Sequence, residues 1–238
     1  MKKLILSTLI FAPMAYAMAS VNTVETSIGE VYADDAGRTL YIFSKDPVGE
    51  SVCTESCEKL WPPLLVSDSV IQQFAGNSEF SQVTRNDGSQ QWALNGKPLY
   101  RWSKDSQEGD INGVGIKGVW PLARADDVAI SLYNDGNRRY LVDENNFTLY
   151  SFDKDKGNQS ECYGDCAVKW PPAYVSSELI QKGIDNLKLS GGFGVTKRND
   201  DTYQWTFQDK PLYRWSKDSK VGDTTGDGLN NVWHLITQ

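Results

Sequence analysis

The sequence predicts an all-β protein of two homologous domains, built from four hairpin-plus-strand repeats with little helix. Three observations carry this. Tyr41, Tyr100, Tyr150 and Tyr213 each open a Tyr-x-[Phe/Trp]-[Ser/Asp]-Lys-Asp string, and a tryptophan (Trp61, Trp120, Trp170, Trp233) follows each tyrosine after the same 20 residues. Short runs of alternating apolar and polar residues precede each string, separated from it by turn-forming residues. The decapeptide KPLYRWSKDS occurs twice without change, at 97–106 and 210–219, so the four units form two related pairs.

Residues 1–17 read as a cleavable export signal. Lys2 and Lys3 precede an apolar run from Leu4 to Phe11, and Ala15-Tyr16-Ala17 supplies a small-x-small cleavage site near Ala17. That run is too short to span a bilayer, and no later stretch reaches the ~20 apolar residues a spanning helix needs. The first cysteine is Cys53, far from the cleavage site, so no lipid anchor is expected. The expected location is the periplasm or the medium. Two repeat domains follow, at 19–124 with units at Tyr41 and Tyr100, and at 125–238 with units at Tyr150 and Tyr213. A four-residue insertion near 189–194 reconciles the spacing of the two halves.

Each unit has the same predicted order. A strand at 31–33, 91–94, 139–142 or 204–207 meets a turn at Asp34 to Gly37, Asn95-Gly96, Asp143 to Asn146 or Gln208-Asp209. The Leu-Tyr-x-[Phe/Trp] string then returns as the second strand, with Leu and x on one face and the two aromatics on the other. Pro98 and Pro211 begin returning strands, where a missing N–H is tolerated. After an irregular stretch, the tryptophan opens a third strand at 61–66, 120–123, 170–175 or 233–237. The segments 67–74 and 176–183 are the best candidates for a turn or two of helix. A propeller-like closure and two separate sandwiches both accommodate this order.

The Tyr-x-[Phe/Tyr/Trp]-x-x-Asp strings, the CTESCEKLWPP and CYGDCAVKWPP segments, and the GDING and GDTTG loops resemble a secreted repeat family of predicted bacterial lipoproteins. The resemblance covers nearly all of the chain after the leader and implies an exported repeat protein, without implying an activity. The missing lipoprotein cysteine is a departure from that family.

Recurrence at one spacing marks scaffold. All eight tryptophans occupy repeat positions and are expected in the core, where aromatics bury most area. Asp46, Asp105, Asp155 and Asp218 end the strings, and a carboxylate there accepts backbone N–H groups of the following loop. Tyr163, Tyr174 and Tyr203 have no repeat partners, which makes them better candidates for exposed contacts.

Four cysteines in an exported chain favour disulfides, and the local pairs Cys53/Cys57 and Cys162/Cys166 are the simplest, since i and i+4 on a helical turn lie within bridging range. A redox dithiol or a copper or zinc thiolate site is the alternative, although neither Cys-x-x-Cys spacing nor a nearby histidine supports it. Asp223, Thr225 and Asp227 fill three positions of a calcium loop, but its twelfth position is His234 rather than a bidentate carboxylate. No cofactor is predicted; calcium or a thiolate-bound metal remain alternatives.

Without the leader the chain keeps 31 acidic residues and loses Lys2 and Lys3 from 24 basic ones, for a formal charge of about −9. Such a surface repels nucleic acid and anionic lipid. A Ser-His-Asp or Cys-His device would have to use His234, which has no repeat counterpart, and GGFGVTK lacks P-loop spacing, so no enzyme is expected. The expected function is a non-enzymatic binding or interaction module of the bacterial envelope, with an envelope protein, a glycan or a small molecule as partner. The runner-up is a redox or metal-handling protein using the two cysteine pairs.

Overall fold

A computed structural model describes residues 22–66, 74 and 77–238. The leader lies outside the described residues, as does the first helix candidate except for Phe74. The chain folds into several small antiparallel sheets with short helices, and the sheets do not close into a barrel.

The predicted hairpins are present. β5 (Gln90–Leu94) turns through Asn95 and Gly96, both at positive φ as a two-residue hairpin requires, into β6 (Lys97–Tyr100). In the fourth unit Gln208 and Asp209 take the same left-handed conformation between β11 (Tyr203–Phe207) and β12 (Lys210–Pro211). β2 (Gly29–Tyr32) and β8 (Arg139–Val142) lead through aspartate-capped turns to β3 (Tyr41–Ile42) and β9 (Tyr150–Phe152). Asp34 Oδ1 accepts the N–H groups of Ala36 and Arg38, and Asp143 Oδ1 those of Asn145 and Phe147.

Each hairpin also has an outer strand that the sequence reading omitted. These are β1 (Thr23–Thr26), β4 (Phe80–Thr84), β7 (Ser131–Asn134) and β10 (Phe193–Lys197), paired in register with β2, β5, β8 and β11. Their alternation is diluted by polar residues, as in FSQVT, which hides the strand period.

The third strand of each unit does not pair with its own hairpin. Leu64 N–H bonds to Leu99 O, and Leu64 O accepts Trp92 N–H, so the run after Trp61 completes the second unit's sheet. Reciprocally, Ile42 N–H bonds to Pro121 O and Ala123 N–H to Leu40 O, so the run after Trp120 completes the first. The second half repeats the exchange. Ala173 bonds to Leu212 and Trp205, and β13 (Trp233–Leu235) pairs with β9. The two units of a half also meet directly: Tyr41 pairs with Tyr100, and Tyr150 and Tyr213 exchange two backbone hydrogen bonds of 2.8 and 2.9 Å.

The faces divide as expected. Tyr41 and Phe43 enter one apolar cluster, while Leu40 and Ile42 enter another with Leu64, Trp92 and Leu99. Where strands exchange, the aromatics stack in a column: Phe43, Trp120, Trp61 and Trp102 lie at successive centroid distances of 4.4, 3.7 and 4.3 Å. Phe152, Trp233, Trp170 and Trp215 repeat it at 4.0, 3.8 and 4.2 Å. Seven tryptophans are buried, and the eighth, Trp215, is partly buried and packs against the core cluster of the second half.

The largest core cluster crosses the halves, joining Val24, Val31 and Leu132 to Phe193, Trp205 and Phe207. Close backbone contact is required there. A Cβ on Gly115 would lie 2.1 Å from Leu132 O, and one on Gly191 would lie 2.1 Å from Gly29 N.

The short helices are α1 (Ser56–Leu60), α2 (Asp165–Lys169) and α3 (Ser177–Lys182). The last is the expected one, capped by Ser176, whose hydroxyl accepts Leu179 N–H, and ended at Gly183.

Candidate functional site

The cysteine loops close first. Cys53 bonds Cys57 and Cys162 bonds Cys166, each with a Cα separation of 5.3 Å. The geometry corrects the helical-turn argument, because only Cys57 and Cys166 lie in helices; Cys53 and Cys162 precede them in irregular backbone.

The repeat aspartates have a second partner besides the loop N–H. Asp46 accepts Val52 N–H and Tyr100 Oη–H, and Asp105 accepts Asn112 N–H and Tyr41 Oη–H. Asp155 takes Glu161 N–H and Tyr213 Oη–H, and Asp218 takes Thr225 N–H and Tyr150 Oη–H. In every case the tyrosine comes from the other unit of the pair. Burial raises the carboxyl groups of Asp46 and Asp105 above the ordinary range and lifts Asp155 to about 6, with the hydrogen bonds opposing the shift. Burial likewise raises all four tyrosines, which therefore stay protonated donors.

The glycine-aspartate loops complete this network. Gly113 and Gly226 N–H point at Tyr41 and Tyr150 Oη. A Cβ on either would lie 2.7 or 2.8 Å from the Trp61 or Trp170 ring. Asp110 and Asp223 each accept two backbone N–H groups of the preceding turn. Of the calcium candidates, Asp223 is thus used in a turn, Thr225 donates to Asp218, and Asp227 accepts Leu235 N–H. Among the described residues, no three His, Cys, Asp or Glu side chains gather as a metal site needs. His234 is a β13 residue whose ring meets Asp153 at 2.8 Å.

Two buried arginines were missed. Arg85 donates to Ser51 Oγ, Gln91 Oε1, Cys53 O and Glu58 Oε2 at 2.6–3.1 Å. Arg198 donates to Ser160 Oγ, Gln204 Oε1 and Cys162 O at 2.6–2.8 Å. Ser51 and Ser160 also meet Tyr100 and Tyr213 Oη, so each arginine ties a disulfide loop to the tyrosine–aspartate network. The recurrent Arg-Asn-Asp before Gln-Trp, at 85–92 and 198–205, was the available signal.

The halves differ at a cleft beside their junction, whose first cavity is lined by residues of the second half alone. One cavity of about 230 Å³ has a floor of Ile130, Ala173, Val175 and Trp205 and a rim of Asp143, Glu144, Asn145, Tyr174 and Arg214. A second, of about 190 Å³, lies across the Asp143–Asn146 turn, shares Ala129 and Ile130, and adds Ser44, Ser131 and Arg124. Tyr174 is 47% exposed where the first half has Leu65. Tyr163 and Tyr203 are only half-exposed; Tyr163 lies beneath Arg198, 4.4 Å from its guanidinium. Asp34 is held by both Arg38 and Arg101, which bring its carboxyl below the ordinary range despite burial. Its counterpart Asp143 keeps only Arg214, at 3.3 Å, because Phe147 stands where Arg38 does.

The family model for a secreted repeat of unknown function matches four times, at 22–65, 81–124, 134–174 and 194–237. The chain belongs to this family. No curated protein and no solved structure matches it. Each secreted-repeat match ends in the exchanged strand, so the family unit takes in both the hairpin and the strand it lends to its neighbour. Family membership and the two disulfides agree with a location outside the cytoplasm. No helix among the described residues is long and apolar enough to cross a membrane.

Proposed function

We propose that this secreted-repeat protein is a non-enzymatic binding module of the bacterial envelope, released into the periplasm or the medium after cleavage near Ala17. The observation that carries the reading is how its polar residues are used. The recurrent tyrosines, aspartates and arginines bond one another and the backbone, so the recurrent chemistry serves the scaffold. Ligand-facing variety is left to the junction cleft, where the halves differ. The redox or metal-handling alternative is disfavoured because the sulfurs are bonded in pairs, which leaves no thiolate to bind copper or zinc.

Native mass spectrometry of the protein extracted from the envelope tests this. The expected mass is four hydrogens below the reduced chain, without bound metal and with a substoichiometric organic adduct. Stoichiometric copper or zinc retained after dialysis would refute the module reading.

A further inference from the structure

We infer that the junction cleft binds a neutral saccharide of about two rings, with Tyr174 as its stacking platform. The inference rests on the binding-module reading and adds the ligand's chemical class.

Size comes first. The two cavities, about 230 and 190 Å³, flank one turn and share Ala129 and Ile130, so each offers room for one sugar ring rather than a drug-sized ligand. Hydrogen-bonding capacity narrows the chemistry. Asp143 and Glu144 line both cavities, and their carboxylates only accept; Arg214 at the first only donates. A hydroxyl donates and accepts at once, so a polyhydroxylated ligand satisfies both sets within one small volume.

Charge and shape point the same way. Arg124 is balanced by Asp126 and Arg214 by Asp143, leaving Glu144 as the surplus charge, which disfavours anionic ligands. Tyr174 is an exposed ring beside an apolar floor, and such a face suits the C–H side of a pyranose. The first half has Leu65 at this position, so it lacks the platform, and its Asp34 is held by two arginines where Asp143 has one.

The test is a saturation-transfer NMR and calorimetric titration of the full exported chain with cellobiose, maltose, lactose and chitobiose, each to ~20 mM, a range that captures millimolar affinity. At least one disaccharide is expected to bind one to one and tighter than its monosaccharide. Tyr174→Leu, which installs the residue the first half already carries, should weaken binding at least tenfold with an unchanged melting temperature. Glu144→Gln should weaken it several-fold while leaving Tyr174 contacts visible in the NMR difference spectrum. Absence of binding by all four disaccharides, or binding that Tyr174→Leu leaves intact, overturns the assignment. A different organic adduct in the native mass spectrum alongside such a failure would overturn the saccharide class while leaving the binding module standing.

Discussion

Replacing Tyr41 by Phe isolates the hydrogen bond that joins two repeat units. The substitution keeps the ring, and with it the edge-on contact to Trp61 at 5.3 Å, and removes only the hydroxyl. That hydroxyl is buried, donates to Asp105 Oδ2 at 2.5 Å and faces Gly113 N–H at 3.3 Å. A hydrogen bond to a charged acceptor contributes ~1.5–3 kcal/mol, and Asp105 retains its bonds from Asn112. The long Gly113 contact adds little, so the expected loss is about 2 kcal/mol. Guanidinium denaturation followed by tryptophan fluorescence reads it as a lower midpoint at constant slope. A cycle with Asp105→Asn should show a coupling of ~1–2 kcal/mol between the two sites. A loss under ~0.5 kcal/mol, or coupling near zero, would refute the claim that this pair fastens unit to unit.

The other predictions concern the same scaffold. Asp155 has a folded pKa of about 6 against an ordinary 3.8, so the folded state binds its proton more tightly than the unfolded chain. Its contribution to stability is therefore greatest below pH 3.8 and is lost as pH rises through 6. Stability curves of the wild type and Asp155→Asn between pH 4 and 7 should accordingly differ in slope, with the wild type gaining relative stability on acidification; parallel curves would rule this out. Gly226→Ala places a methyl 2.8 Å from the Trp170 ring and should cost ~1–3 kcal/mol by overpacking, measured by chemical denaturation, and an unchanged midpoint would rule this out. Cys53→Ser with Cys57→Ser opens a short loop and should cost ~2 kcal/mol in the chain-entropy account, while unchanged stability would mean that Arg85 alone holds the loop.

The hairpins were legible because their signals are local. Asn95-Gly96 demands two left-handed residues, and the structure places both at positive φ. The split of Leu40 and Ile42 from Tyr41 and Phe43 follows from the two-residue period of a strand. What the sequence hid is non-local. Nothing near Trp61 says that its strand joins the sheet of Gln91 and Leu99, because an apolar run states that it will be buried but not against what. The aspartates were correctly read as loop caps, yet their tyrosine partners lie 54–68 residues away and appear in the sequence only as an equal number of each. Arg85 and Arg198 were overlooked because arginine is ordinarily a surface residue. The cleft was partly visible: Tyr174 stood out as a tyrosine without a repeat counterpart, but its neighbours Asp143 and Arg214 sit at repeat positions and gave no sign of a different setting.

The exchange of strands explains why the motif carries both a tyrosine and an aspartate five residues apart. Tyr41 needs Asp105, and Asp46 needs Tyr100, so neither string satisfies its own polar groups. The tryptophans obey the same logic, since the tightest stacks, Trp61 on Trp120 and Trp170 on Trp233, join the two units of a pair. A single unit would bury an unpaired carboxylate and leave half of an aromatic column exposed, both costly. The smallest self-consistent block is therefore two units, and four copies make two blocks. Once the recurrent residues are committed to one another in this way, a block tolerates change where no exchange partner constrains it. The Asp143–Asn146 turn has diverged from Asp34–Gly37 at such positions, and Tyr174 from Leu65 in an exposed side chain, while its backbone keeps a bridge to Gln204 like the one Leu65 makes to Gln91.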